Sequence, residues 1–332
     1  MVYFKFEFGW GKSKKEAAFS SAQPATKGLD WVNAEVEKAR KLGRYKTASN
    51  YLTAAHSWTL FIGKEDWLFP EMTSETLDAY QRWLGERDIC LNTISAYMRA
   101  LRVMYHRVME SEGNDCHDNP FDKVFTGRAK TIKRSVTQVE IQQLHTLQLE
   151  PGTTLSWARD IFLFSFYAMG MPFVDIAYLK KSQVKDGYIH YARHKTGQRI
   201  QVALLPAMID IMKRYEQENS EFVFPILVND PPAPEKNVAS PESLHQLYQC
   251  RLRQYNYSLH RLSERLNWPR HLSSYVVRHS WASIAYQHHV DIGLIGKALG
   301  HTKSSTTLLY IKSLTDPDLA TANESLMQKL GL

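Results

Sequence analysis

The sequence predicts a mainly α-helical chain with one small β-hairpin, an α+β protein divided into two units. Three observations predict it. Apolar residues recur at three- and four-residue steps through most of the chain, which is the helical period. One pair of strand-like runs, Tyr188 to His194 and Arg199 to Leu205, is joined by the turn Lys195-Thr196-Gly197-Gln198. A length of 332 residues is enough for two domains at roughly 100–200 residues each.

In chain order, residues 1–28 read as a leader: a short strand-like stretch, then Ser/Ala/Pro/Gly-rich sequence. Its opening, MVYFKFEFGWGKSKK, alternates apolar and polar residues and lacks the continuous apolar core of a signal peptide. Residues 29–125 read as a bundle of short helices. In the last of these Leu91, Ile94, Met98, Leu101, Met104, Tyr105 and Val108 form one stripe. Asn92 or Thr93 is expected to cap that helix, and Thr73 or Ser74 the one before it. Arg99, Arg102, His106 and Arg107 lie off the stripe, either as a solvated face or as cations aimed at an anionic partner.

Residues 126–134 are expected to be a basic linker. Lys123, Arg128, Lys130, Lys133 and Arg134 occur between Asn119 and Thr137 with one acid, Asp122. The second unit, 135–332, opens on Thr137 and Glu140, a capping-box pair. A helix over Ser156 to Tyr167 is apolar on most sides and so central to a core. The hairpin follows, then further helices after Pro206, interrupted by the loop NDPPAPEKN. Leu319, Ala322, Leu326, Met327 and Leu330 make a last helical stripe, expected to dock on a neighbouring protomer or on its own domain.

Lys+Arg minus Asp+Glu is 41 − 34 = +7, a balance that suits a polyanion. Cys90, Cys116 and Cys250 include no CxxC pair, which argues against a zinc site or disulfide framework and for a reducing, cytoplasmic setting. The richest apolar run, Ile161 to Met171, is too short to span a bilayer. His288 and His289 point about 100° apart on a helix, which favours surface histidines over a metal pair.

The informative segment runs from Tyr275 to Tyr310, YVVRHSWASIAYQHHVDIGLIGKALGHTKSSTTLLY. R-H-S-W-A, then L-G-H-T, then a tyrosine nine residues after the histidine resembles the signature of tyrosine recombinases of the phage-integrase family. The likeness extends to the hairpin lysine in HKTG and to LNTISAYMRALRVMYHRV, and covers about residues 30–332, nearest in character to integrases of Bacteroides-type mobile elements.

The resemblance implies a helical core-DNA-binding (SAM-like) domain at 29–125 and a catalytic domain at 135–332, clamped about a duplex. It implies Tyr310 as nucleophile, Arg278 as phosphate clamp, His301 as its hydrogen-bonding partner, Lys195 as general acid, and Tyr275 where the family usually has histidine. Arg99, Arg102, Lys130 and Lys133 are the expected DNA contacts. The partners implied are a double-stranded core site, a homotetramer on DNA and DNA-bending accessory proteins. No cofactor or metal is expected. The residue types suit the chemistry. A guanidinium stabilises a pentacoordinate phosphorane bidentately, and an imidazole N–H adds a hydrogen bond. An ammonium can protonate the leaving oxygen, and the phosphotyrosine linkage stores bond energy for religation.

Besides Tyr275, a second departure weakens the pattern. The family's first arginine aligns with Pro172, Met169 stands where relatives of this type carry an arginine, and no arginine occurs between Arg159 and Arg193. Either Arg193 or Arg199 fills the gap, or the chain binds DNA without efficient cleavage. A relaxing topoisomerase of related chemistry is the third reading, less suited to a short chain with a helical core-binding domain.

Overall fold

The computed structural model describes residues 27–113, 118–130, 135–228, 240–301, 304–308 and 327. The leader, Cys116, Lys133, the loop NDPPAPEKN and Tyr310 lie outside the described residues, and so does all of the last apolar stripe except Met327. The chain divides into two compact units, Met1–Ala129 and Lys130–Leu332, each with its own hydrophobic core.

The first unit is built from α1 (Gly28–Lys41), α2 (Tyr45–Ile62), α3 (Ser74–Glu86) and α4 (Leu91–Ser111). Trp58, Trp67, Phe69, Tyr80, Met98, Leu101 and Met104 fill its centre. Thr73 caps α3, as its sequence position suggests, in a reciprocal box with Thr76. The cap of α4 differs from expectation: Cys90 occupies the position and gives no side-chain cap bond. Asn92 instead holds Ala129 at both its N–H and its C=O, 3.0 and 3.1 Å away. Leu91, counted in the apolar stripe, is 53% exposed because it precedes the first turn that packs. Phe121 and Val124 are buried in this same core.

The second unit contains α5 (Gln138–Thr146), α6 (Thr154–Tyr167), α7 (Phe173–Ala177), α8 (Pro206–Arg214), α9 (Pro241–Arg265), α10 (Val276–Gln287), α11 (Ile292–Ala298) and α12 (Ser304–Leu308). Helix α6 is central, with Ile161, Phe162, Leu163 and Phe164 all buried. It starts two residues earlier than its apolar run suggests, because Thr153 caps it through the Ser156 N–H. The Thr137–Glu140 capping box forms, and Arg270 then bonds both oxygens of Glu140.

An antiparallel sheet lies between α7 and α8 in sequence: β1 (Val184–Lys185), β2 (Tyr188–Ala192) and β3 (Arg199–Ala203), in the order β1-β2-β3. Tyr191 pairs with Ile200 and Ile189 with Val202, and all four are buried, the alternation of a half-covered sheet. The two-residue β1 was not legible in the periodicity. The two longer strands stop two residues short of the sequence reading. At Arg193 the carbonyl turns to accept from the Gly197 N–H at 2.7 Å and begins the turn. On the other strand Leu204 bonds back to Gly187.

Candidate active site

Three separate stretches of the second unit meet at the carbonyl of Leu299. Arg278, in the first turn of α10, is 2% exposed despite its charge. Its Nη1 donates to the Gly170 carbonyl at 3.1 Å, its Nη2 donates to the Leu299 carbonyl, and Nη2 lies 3.4 Å from His301 Nε2. Arg193, at the foot of the β2–β3 turn, donates from Nη1 to the same Leu299 carbonyl at 2.8 Å. Its Nε lies 3.6 Å from Asp175 Oδ2.

Two glycines make this approach possible. Gly170 has φ +72, and a Cβ there would sit 3.0 Å from the Arg278 Cα. Gly300 has φ +62, and a Cβ there would sit 2.6 Å from the Arg193 Cδ and 2.9 Å from the Ile200 Cδ1. The glycine of L-G-H is thus the space through which the hairpin reaches the Leu299 carbonyl.

Asp175 links the hairpin to the arginines. Its Oδ1 accepts the His194 N–H at 2.8 Å, which fixes the turn that carries Lys195. Burial pushes the Asp175 carboxyl above its ordinary range, against the His194 hydrogen bond and the nearby Arg193 charge, which pull it down. His194 also stacks on Tyr178, with ring centroids 4.9 Å apart. Lys195 is exposed at the tip of this turn.

His301 follows α11. Burial, then the charges of Arg278, Arg193 and Lys195, pulls its imidazole down to about 4, so the ring is neutral near pH 7. Its Nδ1 lies 3.0 Å from Thr307 Oγ1. Two guanidiniums beside one carboxylate and a neutral imidazole leave positive charge concentrated in a largely buried place, the electrostatic requirement of an anion site.

The model of the phage integrase family matches residues 134–316, and that of the phage integrase SAM-like domain matches residues 29–123. The first alone covers more than half of the chain. The chain belongs to the phage integrase family. Among solved structures it resembles a lambda integrase (75–356) dimer bound to a COC′ core site, with a TM-score of 0.58 and 15% identity over 86% of this chain and 95% of that one. It resembles the Tn1549 transposon integrase in complex with transposon right end DNA, with a TM-score of 0.60 and 11% identity over 92% and 100%. A lambda integrase tetramer bound to a Holliday junction gives 0.59 and 14% over 89% and 81%. At such identities the likeness is one of fold. No curated protein matches the chain.

Of the site residues named from the sequence of this integrase-family chain, the structure brings Arg278 and His301 together. It also places Lys195 close enough for its charge to act on the His301 ring. Tyr275 is 54% exposed and meets the His279 ring edge-on, with centroids 4.9 Å apart. Met169 takes φ +56 and Pro172 is the N-cap of α7; neither has a charged side chain to offer. In the first unit Arg99 donates from Nε to the Ser95 carbonyl at 3.3 Å, and Arg102 is half-buried. Lys130 is exposed.

The sequence alone gave no role to Thr307 or Asp175. Asp175 carried a usable signal: an acid within the apolar run MPFVDIAYL requires a buried partner. The serine of R-H-S has a structural part. Ser280 accepts the Val136 N–H at 2.9 Å and so ties α10 to the start of the unit.

Proposed function

We propose that this chain is a site-specific DNA recombinase that cleaves and rejoins strands through a 3′-phosphotyrosine intermediate, in integration, excision or inversion. The observation that carries the reading is the convergence of Arg278 and Arg193 on one backbone carbonyl, with His301 against Arg278 and the charge of Lys195 acting on the His301 ring. In the proposed step the Tyr310 phenol gives up its proton to solvent and attacks a DNA phosphorus while Arg278 holds the non-bridging oxygens, with His301 beside it. The bond to the 5′ oxygen breaks and Lys195 protonates that oxygen. Religation runs the same exchange backwards, so no external energy source is required. Tyr275 contributes a phenol where the family usually has an imidazole.

Arg193 supplies the charge that Met169 and Pro172 do not. It is 8% exposed, shares the acceptor of Arg278, and its Nε has no hydrogen-bond partner among the described residues. Arg199, the other sequence candidate, is exposed on β3. The Bacteroides-type placement belongs to this proposal, as do assembly of a tetramer on a double-stranded core site, DNA-bending helpers and backbone contacts from Arg99, Arg102, Lys130 and Lys133. The domain boundaries 29–125 and 135–332 are part of it too.

A nicked suicide substrate tests the chemistry. The expected outcome is a covalent protein–DNA adduct that Tyr310→Phe abolishes. Arg193→Gln should lower its rate by about 10²–10³-fold, the loss expected for one preorganised donor, while Arg199→Gln stays near the parent rate. The missing arginine at 172 favours a second reading, a homologue that binds DNA without cutting. Binding with no adduct would establish it. Relaxation of plasmid lacking any target site would point to a topoisomerase instead.

A further inference from the structure

We propose that Gln81, Asn92 and Ser95 are positioning residues that staple residues 125–129 onto α3 and α4, and so hold Arg128 ready to grip a DNA phosphate. The role of Arg128 rests on the DNA-binding part of the recombinase reading; the staple does not.

Asn92, Ser95, Arg99 and Arg102 recur at three- and four-residue steps, so they share one face of α4. The chain beyond Phe121 and Val124, both buried in the core of the first unit, is laid along that face. Ser95 is 0% exposed and donates its hydroxyl to the Gly127 carbonyl at 2.6 Å. Asn92, three residues earlier, meets both polar groups of Ala129, accepting its N–H at 3.0 Å and donating to its C=O at 3.1 Å. A primary amide bonded in this way does what a neighbouring strand would do. Gln81 of α3 accepts the Phe125 N–H at 2.6 Å. Gly127 allows the close approach, since a Cβ there would stand 3.0 Å from the Phe125 ring.

The consequence falls on residue 128. Gly127 and Ala129 turn their polar groups to α4, and Arg128 between them is exposed. Its side chain forms no ion pair or hydrogen bond among the described residues. The Ser95 carbonyl takes the Arg99 Nε at 3.3 Å, so one serine anchors a cation of the helix by its carbonyl and the segment that carries Arg128 by its hydroxyl. From the sequence, residues 126–134 read as a basic linker, and a cation on a free chain must lose that freedom when it meets a phosphate. Four hydrogen bonds from α3 and α4 remove the freedom of residues 125–129 beforehand.

Amide hydrogen exchange of the full chain reads the staple without DNA. The Phe125 and Ala129 amides should exchange slowly in the parent, and the Ala129 amide should exchange as in an open chain once Asn92→Ala and Ser95→Ala are combined. Fast exchange at Ala129 in the parent overturns the staple whether or not the double variant folds. Fluorescence anisotropy of a labelled duplex of mixed sequence reads the grip, because phosphate contacts do not depend on base sequence. Arg128→Gln should weaken binding about tenfold and lower the salt slope by about one. The double variant, with Arg128 intact, should show a similar loss, and adding Arg128→Gln to it should cost less than about twofold more. Losses that simply add overturn the positioning role, and binding unchanged by Arg128→Gln overturns the grip. Asn92 is half-buried, so Asn92→Ala alone gives the same comparison if the double variant fails to fold. A parent with protected amides and no affinity for the duplex refutes the DNA reading, and with it the role of Arg128, and leaves the staple standing.

Discussion

At the scale of single residues, buried charge decides most of what the second unit can do. Arg278 and Arg193 are kept in the interior by backbone carbonyls, and the chain must bend tightly to present those carbonyls. Gly170→Ala forces a Cβ into the left-handed region and toward the Arg278 backbone. The expected cost is about 1–3 kcal/mol, read as a lower urea midpoint with an unchanged slope. His301 adds a pH dependence. Its pKa falls from 6.5 in the unfolded chain to about 4 in the fold, so the unfolded chain binds more protons between those values. Its contribution to stability is present above pH 6.5 and is lost as pH falls toward 4. Asp175, raised by burial, acts with the opposite sign, since its contribution weakens as pH rises past the ordinary carboxylate range. The difference between parent and His301→Gln isolates the imidazole. Urea titrations should show the parent losing more stability than the variant between neutral pH and about pH 4.5, and parallel curves would refute the shifted histidine.

At the scale of elements, the local signals were legible and the distant ones were not. The box at Thr137 and Glu140 closes over three residues, so local sequence alone reveals it, whereas at α3 local sequence narrows the cap only to Thr73 or Ser74 and the fold selects Thr73. Thr137→Ala should destabilise the second unit by about 1 kcal/mol in chemical denaturation, the usual worth of such a cap. Asn92 looked like a cap as well, yet its acceptor and donor are on Ala129, 37 residues away. No periodicity encodes a partner at that distance. Strand β1 escaped notice for a related reason: two residues cannot display a period, and only pairing with β2 defines them as strand.

At the scale of the whole molecule, two units with separate cores share a net charge of 41 − 34 = +7. If the proposed DNA partner is correct, phosphate neutralisation must release counterions. Affinity for a core-site duplex should then fall by on the order of 10³-fold or more between roughly 50 and 200 mM salt, for about six phosphate contacts. Fluorescence anisotropy over that range measures the slope, and a flat response would remove nucleic acid as the partner. No helix among the described residues is long and apolar enough to cross a membrane.

Local patterns in the chain set the helical units, the hairpin, the cap at Thr137 and the order of arginine, histidine and tyrosine in the last third, because these follow from local period, local hydrogen bonding and spacing. They left open which arginine could stand beside Arg278. Only tertiary structure decided that, by folding Arg193 against a carbonyl 106 residues later in the chain and leaving Arg199 on the exposed face of its strand. The physical reason is that a buried guanidinium goes where backbone acceptors converge, and convergence is a property of packing that no local pattern contains.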